Sequence, residues 1–270
     1  MQERAPGDFG QNGKDLVSAV ALRRLDGVYK QAGANDLVMV RVRAPGGLWK
    51  SESLGVLAEI ACASGDGSLH FTTRGDVELH GVRFPALDQV LDRIRLAGLT
   101  GRGGCGDAVR NVVACAGSGV CPEEKYNSAD LARRISEEYT GNAAYEHLPR
   151  KFKVSVSGCE KACACPQIQD IGIVARSMSG ESGNPQPCFD IYLAGGLGRN
   201  PILAKKVKQI IQPENVILFV RATVECFNEL GDRGRKQQAR MKFLAEKLGR
   251  DELLNRIMER MSAKTWEYQI

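Results

Sequence analysis

Hydrophobic positions in the first hundred residues follow two different periods. Three segments with apolar residues at helical spacing predict helices: 15–32, 51–63 and 84–96. Three short segments that alternate or are rich in β-branched residues predict strands: 37–43, 69–72 and 77–80. A strand–helix–strand–strand–helix order is typical of a small α+β layer with its helices on one face of a sheet.

A glycine-rich segment, Gly101-Arg102-Gly103-Gly104, predicts a boundary after this layer. Beyond it the patterns predict strands at 109–114, 151–157, 171–175 and 189–193. They also predict helices at 129–138, 201–211, 216–229, 237–248 and 251–261, and a polar loop at 178–187. We therefore expect a flexible leader over 1–14, one domain over 15–104 and a second over 105–270, with a helical C-terminal tail.

Composition and charge narrow the class of protein. Hydrophobic residues make up 43% of the 270 residues, which is enough for a buried core. No apolar run is long enough for a membrane span and the N-terminus has no signal-peptide pattern, so we expect a cytoplasmic protein. The net charge of +5 is spread without interleaved aromatic residues, which argues against nucleic acid and favours a small anionic ligand.

Nine cysteines without an export signal favour metal or cluster binding over disulfides. Four form two pairs, Cys115-x5-Cys121 and Cys159-x3-Cys163, and four thiolates brought together by a fold commonly hold a [4Fe–4S] cluster. A structural zinc site or chance spacing are the alternatives, although zinc sites favour the tighter C-x2-C turn. Cys105 and Cys165 lie near these segments and are possible alternative ligands.

The residues around the cysteines resemble the siroheme-dependent sulfite and nitrite reductase family. Its pattern of C-x5-C followed by [S/T]-G-C-x3-C-x6-[D/E] is matched here, the second part running from Ser157 to Asp170. Further matches lie at 40–47 (V-R-V-R-A-P-G-G), at 72–74 (T-T-R) and at 109–111 (V-R-N). The resemblance covers about residues 17–262. It implies a ferredoxin-like half-domain at the N-terminus, packed on an α/β domain that binds siroheme and a [4Fe–4S] cluster.

The resemblance also implies roles for individual residues. The four paired cysteines would hold the cluster, and Cys163 would also bridge to the siroheme iron. The expected siroheme contacts are Arg41, Arg43, Thr72, Thr73, Arg102, Asn111 and Lys125. The expected residues at the substrate anion are Arg74, Arg110, Lys151 and Lys153. Alternation at period two sends Lys151 and Lys153 to the same face of their strand.

The expected activity is the six-electron reduction of sulfite to sulfide. Nitrite-reducing relatives often carry Asn at the second lysine of the K-x-K pair, so Lys153 favours sulfite over nitrite. The alternatives are a nitrite reductase on the same scaffold, a non-catalytic siroheme-binding or electron-transfer subunit, and a zinc-stabilised interaction module. The three histidines share no metal-binding spacing, so we expect structural roles for His70, His80 and His147.

The chain holds one copy of a repeat that occurs twice in the assimilatory enzymes of this family, yet it carries both the cysteines and the cations. This suggests a symmetric homodimer in which the cysteines of one protomer face the cations of the other. A heteromer with a related subunit or a differently built monomer are the alternatives. The chain has no flavin, nicotinamide or second ferredoxin motif. We therefore expect an external donor such as a ferredoxin or a reductase subunit to supply the electrons.

Overall fold

The structure is a computed structural model that describes residues 13–32, 36–179 and 184–267. The chain divides into two compact units, Met1–Gly106 and Asp107–Ile270. Most of the predicted leader lies outside the described residues, and the first helix begins at Gly13. Among the helices that the structure describes, none combines the length and apolar character needed to cross a bilayer.

The first unit is an antiparallel sheet with helices. Its strands are β1 (Val28–Lys30), β2 (Leu37–Val42), β3 (Leu69–Phe71) and β4 (Val77–Arg83), in the spatial order β1-β2-β4-β3. Its helices are α1 (Gly13–Leu22), α2 (Ser51–Ser64) and α3 (Leu87–Leu96). Alternate residues of β2 are buried, and they pack with Leu57, Ile60 and Val90 of the helices in one core. This arrangement confirms the predicted α+β layer.

The predicted helix over 15–32 is wrong in its second half. α1 ends at Leu22, a single 3-10 turn covers Arg24–Asp26, and β1 follows. Gly27 ends the 3-10 turn directly before β1, and its φ of 83° lies in the left-handed region that favours glycine. A Cβ at Gly27 would lie 2.4 Å from the carbonyl oxygen of Arg41, so glycine lets β1 pair closely with β2.

The second unit is a five-stranded mixed sheet covered by helices. Its strands are β5 (Val113–Ala114), β6 (Val154–Ser157), β7 (Ile171–Ser179), β8 (Pro185–Leu193) and β9 (Lys205–Ile211), in that spatial order. β5, β6 and β7 are parallel, whereas β8 and β9 continue the sheet antiparallel. Its helices are α4 (Ser128–Tyr139), α5 (Val216–Leu230), α6 (Met241–Leu248) and α7 (Arg250–Glu267).

The core of this unit lies between the sheet and the helices. All four residues of β6 are buried, as are the first five of β7, which is typical of strands covered on both faces. Phe152 and Phe227 meet here with ring centroids 5.4 Å apart. The predicted helices 216–229 and 251–261 correspond to α5 and α7, so the helical C-terminal tail is confirmed.

Two predictions in this unit are wrong. Residues 201–211 form an edge strand, β9, instead of a helix, because its backbone pairs with β8 and Lys206 Nζ reaches Asp190 Oδ2 at 2.6 Å. The predicted polar loop at 178–187 is shorter than expected, since β7 runs to Ser179 and β8 starts at Pro185. Residues 180–183 of that loop lie outside the described residues.

Candidate functional site

Both cysteine pairs follow neighbouring parallel strands. β5 ends at Ala114, directly before Cys115, and β6 ends at Ser157, two residues before Cys159. Ala114 lies opposite Val156 in the parallel register, so the two strands end at nearly the same level. The carboxyl ends of parallel strands are a common place for ligand sites in such sheets. The sheet therefore brings both cysteine segments to the same place, at the carboxyl ends of β5 and β6.

The first cysteine loop is held by the side chain of Glu124. Its Oε1 accepts from Ser118 Oγ at 2.7 Å and from the backbone N–H of Ser128 at 3.1 Å, and its Oε2 accepts from the N–H of Gly119 at 2.6 Å. Burial alone would raise the pKa of Glu124, but these hydrogen bonds outweigh it and hold the pKa below its ordinary value. The carboxylate thus ties the loop between Cys115 and Cys121 to the start of α4.

The two cysteine segments also contact each other through backbone. The N–H of Lys125 donates to the carbonyl of Gly158 at 2.7 Å. A Cβ at Gly158 would lie 2.5 Å from Glu124 Oε1, so only glycine allows this close approach. The segment after Cys121 and the segment before Cys159 are therefore packed together.

The second cysteine segment has an unusual backbone. Ala162 and Cys165 have φ values of 54° and 50°, and they are two of the three non-glycine residues with positive φ that the described part of the chain contains. Such strained conformations tend to occur at functional sites. Cys159 is buried whereas Cys163 and Cys165 are exposed, and Cys165 Sγ lies 3.7 Å from the carbonyl oxygen of Cys163. Cys163 is thus accessible to a second group.

The spacing of the thiols differs from that of a zinc site. Sulfurs bound to one tetrahedral zinc ion lie about 3.8 Å apart, because each Zn–S bond is about 2.3 Å. Within the part of the chain that the structure describes, no three of the four cysteine sulfurs lie within 4.8 Å of one another. A cubane, which is wider than a single ion, does not need such close sulfurs. The donor chemistry and the shared sheet edge fit a [4Fe–4S] cluster.

Three of the predicted anion-binding residues lie at the opposite, amino end of β6. Val109 and Phe152 form a parallel bridge, and the N–H of Arg110 donates to the carbonyl of Phe152 at 2.8 Å. Arg110 is therefore level with Lys151 and Lys153. Burial lowers the pKa of Lys151 below its ordinary value, and the positive charges of Arg110, Arg240 and Arg150 lower it further.

A cavity of about 450 Å³ adjoins this cationic end of the sheet. Basic side chains dominate its lining: Arg150, Lys151, Lys153, Arg199, Lys236, Arg240 and Lys242. The buried carboxylate of Asp170 supports the cavity, since it accepts from Arg240 Nη2 at 2.7 Å and from the N–H of Lys153 at 2.8 Å. Such a cavity is suited to an anion. We call Arg110, Lys151, Lys153 and Arg240 the cationic cluster.

The cationic cluster and the cysteines are separated by the length of β6. Five residue steps of about 3.3 Å lead from Lys153 to Gly158 along extended chain, which is about 16 Å. Lys153 precedes the strand and Cys159 follows it. The structure therefore brings three of the four predicted cations together and also brings the cysteine segments together. The two groups lie at opposite ends of β6.

The fourth predicted cation, Arg74, lies in the first unit, in the turn between β3 and β4. Thr72 Oγ1 shapes this turn by accepting from the backbone N–H groups of Arg74 at 3.3 Å and Asp76 at 3.1 Å. A Cβ at Gly75 would lie 2.6 Å from the Cα of Gly47. The T-T-R turn therefore packs against the P-G-G turn, and both belong to segments that carry the family resemblance in this unit. Thr73 is exposed in the same turn.

The predicted siroheme contacts differ in their surroundings. Arg41 donates hydrogen bonds within its own unit. Its Nε lies 3.0 Å from Glu78 Oε1, and its Nη1 lies 2.8 Å from Tyr29 Oη and 3.1 Å from the carbonyl oxygen of Gly104. Arg43 is 1% exposed and donates to the carbonyl of Arg102 at 3.1 Å. Both arginines thus contribute to the internal structure of the first unit.

The remaining predicted contacts are also dissimilar. The side chain of Arg102 is partly exposed and lies 3.5 Å from Asp26. Asn111 is buried in the second unit, where its Oδ1 accepts from Ser136 Oγ at 2.9 Å. Lys125 is exposed and lines a cavity of about 410 Å³ that also includes Cys159. Of these three, Lys125 is the one that the structure places beside a cysteine.

Sequence reasoning missed Glu124, Arg150, Arg240 and Lys242. Lys242 is 2% exposed and its Nζ donates to the carbonyl oxygens of Gly196, Leu197 and Asn200. Arg150 directly precedes the K-x-K pair, so its position in the sequence could have identified it. Arg240 reaches the cavity from a distant part of the chain, and no local pattern marks it.

Two family models match the chain. The model for the nitrite and sulphite reductase 4Fe-4S domain matches residues 105–265, which include all four paired cysteines and the cationic cluster. The model for the nitrite/sulfite reductase ferredoxin-like half domain matches residues 29–97.

Curated relatives include both kinds of reductase. The chain is 28% identical over 246 residues to an assimilatory ferredoxin-dependent nitrite reductase of Haloferax mediterranei, covering 86% of this chain and 42% of that protein. It is 30% identical over 229 residues to a chloroplastic ferredoxin–nitrite reductase of Zea mays, covering 83% and 39%. It is 26% identical over 268 residues to sulfite reductase [ferredoxin] 2 of Mycolicibacterium paratuberculosis, covering 92% and 47%. The chain spans less than half the length of these relatives.

Solved structures share the fold. The Mycobacterium tuberculosis NirA protein matches with a TM-score of 0.79 at 24% identity, covering 97% of this chain and 50% of that one. A dissimilatory sulfite reductase I matches with a TM-score of 0.69 at 14% identity, covering 82% and 69%. At these identities the structural matches show the fold alone. Because the 4Fe-4S domain model covers more than half of the chain, the protein belongs to the nitrite and sulfite reductase family.

Proposed function

We propose that this protein catalyses the six-electron reduction of sulfite to sulfide, at sites assembled from two copies of the chain. The observation that carries the proposal is the arrangement around β6, where the cysteine segments follow the strand and the cationic cluster precedes it. The chain has both parts of a reductase site, and a second copy would supply the complementary part to each.

The cofactors of this family are a [4Fe–4S] cluster and siroheme. Cys115, Cys121, Cys159 and Cys163 would hold the cluster, because they are the cysteines at the carboxyl edge of β5 and β6. Cys163 is exposed and would be shared with the siroheme iron. When bound, the coupled pair supplies single electrons to the substrate.

The protein residues would bind the anion and supply protons. Arg110 carries a guanidinium group, which can bind an oxyanion through paired N–H donors. Arg240 uses its Nε and Nη2 for Asp170 and adds positive charge at the cavity. The pKa of Lys151 is lowered chiefly by burial, so its ammonium gives up a proton more readily than that of an ordinary lysine. Lys153 adds a second ammonium beside it. Arg74 would complete the set, as the family resemblance implies.

Sulfite is the proposed substrate because Lys153 stands where nitrite-reducing relatives often carry Asn. Nitrite is the second candidate, since the similar curated proteins of Haloferax mediterranei and Zea mays are named nitrite reductases. Several relatives are named as ferredoxin-dependent, which supports a ferredoxin as the electron donor here as well.

The function is tested on protein purified without oxygen. Siroheme and iron–sulfur absorption, with iron and acid-labile sulfide counts, should establish the cofactors. Reduced viologen should then be oxidised on adding sulfite, with sulfide as the product. Ammonia from nitrite at a higher kcat/KM than sulfide from sulfite would favour the second candidate. Loaded protein that turns over neither anion would contradict both and indicate a non-catalytic subunit.

A further inference from the structure

Two histidines and a glutamate meet on one face of the sheet in the first unit. His70 of β3 lies directly opposite Glu78 of β4 in the antiparallel register. His80 is two residues beyond Glu78 on β4, so its side chain is on the same face. His80 Nε2 lies 3.2 Å and His70 Nδ1 lies 3.7 Å from Glu78 Oε2. One potential ligand atom from each of the three residues lies within 4.8 Å of the other two.

The carboxylate at the centre of this group is held in place by Arg41. Arg41 Nε and Nη2 both donate to Glu78 Oε1, at 3.0 and 2.5 Å. The guanidinium is fixed in turn by Tyr29 Oη and the carbonyl of Gly104. Glu78 therefore uses one oxygen for Arg41 and presents the other to both imidazoles. A carboxylate oriented by such a partner is typical of metal-binding sites.

The geometry agrees with coordination of one ion. Ligand atoms about 2.0–2.1 Å from a tetrahedral ion lie about 3.3–3.4 Å apart. The two distances to Glu78 Oε2, 3.2 and 3.7 Å, lie on either side of this value. The imidazole rings are stacked side by side, with centroids 5.8 Å apart and planes inclined by 25°, and one nitrogen of each lies within 3.7 Å of Glu78 Oε2.

We propose that His70, Glu78 and His80 bind a divalent transition-metal ion, with zinc as the best match to two imidazoles and one carboxylate. The His70 side chain is 64% exposed, so the ion would be reached from solvent and would keep a coordination position for water or an anion. The site is separate from the cysteine segments in the sequence and in chemistry, since its ligands are nitrogen and oxygen. It extends beyond the proposed reductase function and does not depend on it.

Sequence spacing did not reveal this group, and the expectation of purely structural roles for His70 and His80 is replaced by this proposal. The two histidines are ten positions apart, which fits no helical metal motif. Antiparallel pairing of β3 with β4 supplies the proximity that the sequence hides.

The test uses cluster-loaded protein, so that the paired cysteines are occupied, and zinc ion as the probe. Equilibrium dialysis compares the wild type with His70→Ala and with His147→Ala, a matched control that removes an exposed histidine of the other unit. We expect the wild type and His147→Ala each to bind one equivalent of zinc with the same affinity. His70→Ala should bind zinc at least tenfold more weakly. His70 is exposed, so the variant should fold normally.

A second measurement identifies the ligands. X-ray absorption at the zinc edge should show nitrogen and oxygen neighbours with imidazole scattering, and Glu78→Gln should weaken binding because a neutral amide is a poorer ligand. Equal zinc binding by the wild type and His70→Ala would overturn the proposal. So would a bound zinc with sulfur neighbours, which would place the ion at free cysteines.

Discussion

Glu124 is the residue on which the first cysteine loop depends most. It accepts hydrogen bonds from Ser118, Gly119 and Ser128, which lie on both sides of Cys121. A neighbouring carboxylate, Glu123, makes instead an exposed ion pair with Lys161 at 3.5 Å. The two adjacent glutamates therefore have very different structural roles, which allows a controlled comparison.

We predict that Glu124→Ala loses the cluster several-fold faster than the wild type when an iron chelator is added. The substitution removes the carboxylate that joins Ser118, Gly119 and Ser128, and the buried Ser128 N–H loses its acceptor, which costs about 1–3 kcal/mol. The measurement is the decay of iron–sulfur absorption without oxygen. Glu123→Ala is the control and should decay at the wild-type rate. Equal rates for all three proteins would contradict a positioning role for Glu124.

The lowered pKa of Lys151 leads to a prediction about alkaline pH. Because burial and three neighbouring arginines lower this pKa, Lys151 loses its proton at a lower pH than an ordinary lysine. Activity should therefore fall on the alkaline side as the ammonium deprotonates. Lys151→Arg keeps its charge at all accessible pH values, so its alkaline limb should move to higher pH. The pH profile of kcat/KM for sulfite measures the alkaline fall in activity. If this fall occurred at the same pH in Lys151→Arg as in the wild type, a group other than Lys151 would be its cause.

At this scale the sequence reveals residue types but not their partners. The paired cysteines could be proposed as cluster ligands from their spacing, and the K-x-K pair could be proposed from the family resemblance. Glu124 and Arg240 could not, since each acts through groups that the fold brings near. Asn111 and Arg43 match family motifs, yet here they are buried in internal hydrogen bonds. A matched motif thus predicts a residue's position better than its contacts.

Among the elements, the parallel pair β5 and β6 positions the residues of the proposed site. Alternation predicted a strand before each cysteine segment, but not that the two strands are parallel neighbours. Parallel pairing depends on the crossover through α4, whose contacts are long-range. The same limitation explains β9, where a short apolar pattern favoured a helix and pairing with β8 produced a strand. Local periodicity predicts an element only where tertiary pairing agrees with it.

Gly172 provides a test at the scale of these elements. It lies in β7, and a Cβ there would be 2.3 Å from the Cβ of Pro166, in the turn that follows the second cysteine pair. We predict that Gly172→Ala destabilises the protein by about 1–3 kcal/mol, as overpacking typically does, and also weakens cluster retention. Chemical denaturation measures the first effect and iron content the second.

The control for this prediction is the same substitution in open space. A Cβ at Gly55, inside α2, would meet nothing within 4 Å. Gly55→Ala should raise stability by about 0.5–1 kcal/mol, because alanine is the better helix former. If both substitutions changed the free energy of unfolding in the same direction, the close approach of β7 to the cysteine segment would not explain the effect of Gly172→Ala.

For the whole molecule, the layout of its second unit underlies the proposal of a site shared between two chains. Its cysteine segments and its cationic cluster lie at opposite ends of β6, about 16 Å apart along the strand. The sequence could predict both sets of residues, but their separation became visible only in the sheet. A symmetric pair of chains would place each set opposite its complement.

Mixing two inactive variants tests this arrangement directly. The first is a double variant that carries both Lys151→Ala and Lys153→Ala, so it loses the two lysines of the cationic cluster and keeps the cysteines. The second is Cys163→Ser, which loses a proposed cluster ligand and keeps the cations. Each variant alone should be inactive. In a heterodimer of the two, one site combines intact cysteines with intact cations, and the other site has neither. Purified heterodimer should therefore have about half the wild-type activity, and random co-expression about one quarter.

The alternative arrangement gives a different result from the same mixture. If the cysteines and cations of one site came from one chain, no site in the heterodimer would be complete and activity would stay at background. The control is a mixture of two single variants, one carrying Lys151→Ala and the other Lys153→Ala. Every site in this mixture lacks one lysine, whichever chains form the site. Background activity in the first mixture, or turnover by a holoprotein that sediments as a monomer, would contradict the shared site. Restored activity in the first mixture together with background in the control would place the thiolates and the cations of each site on different chains.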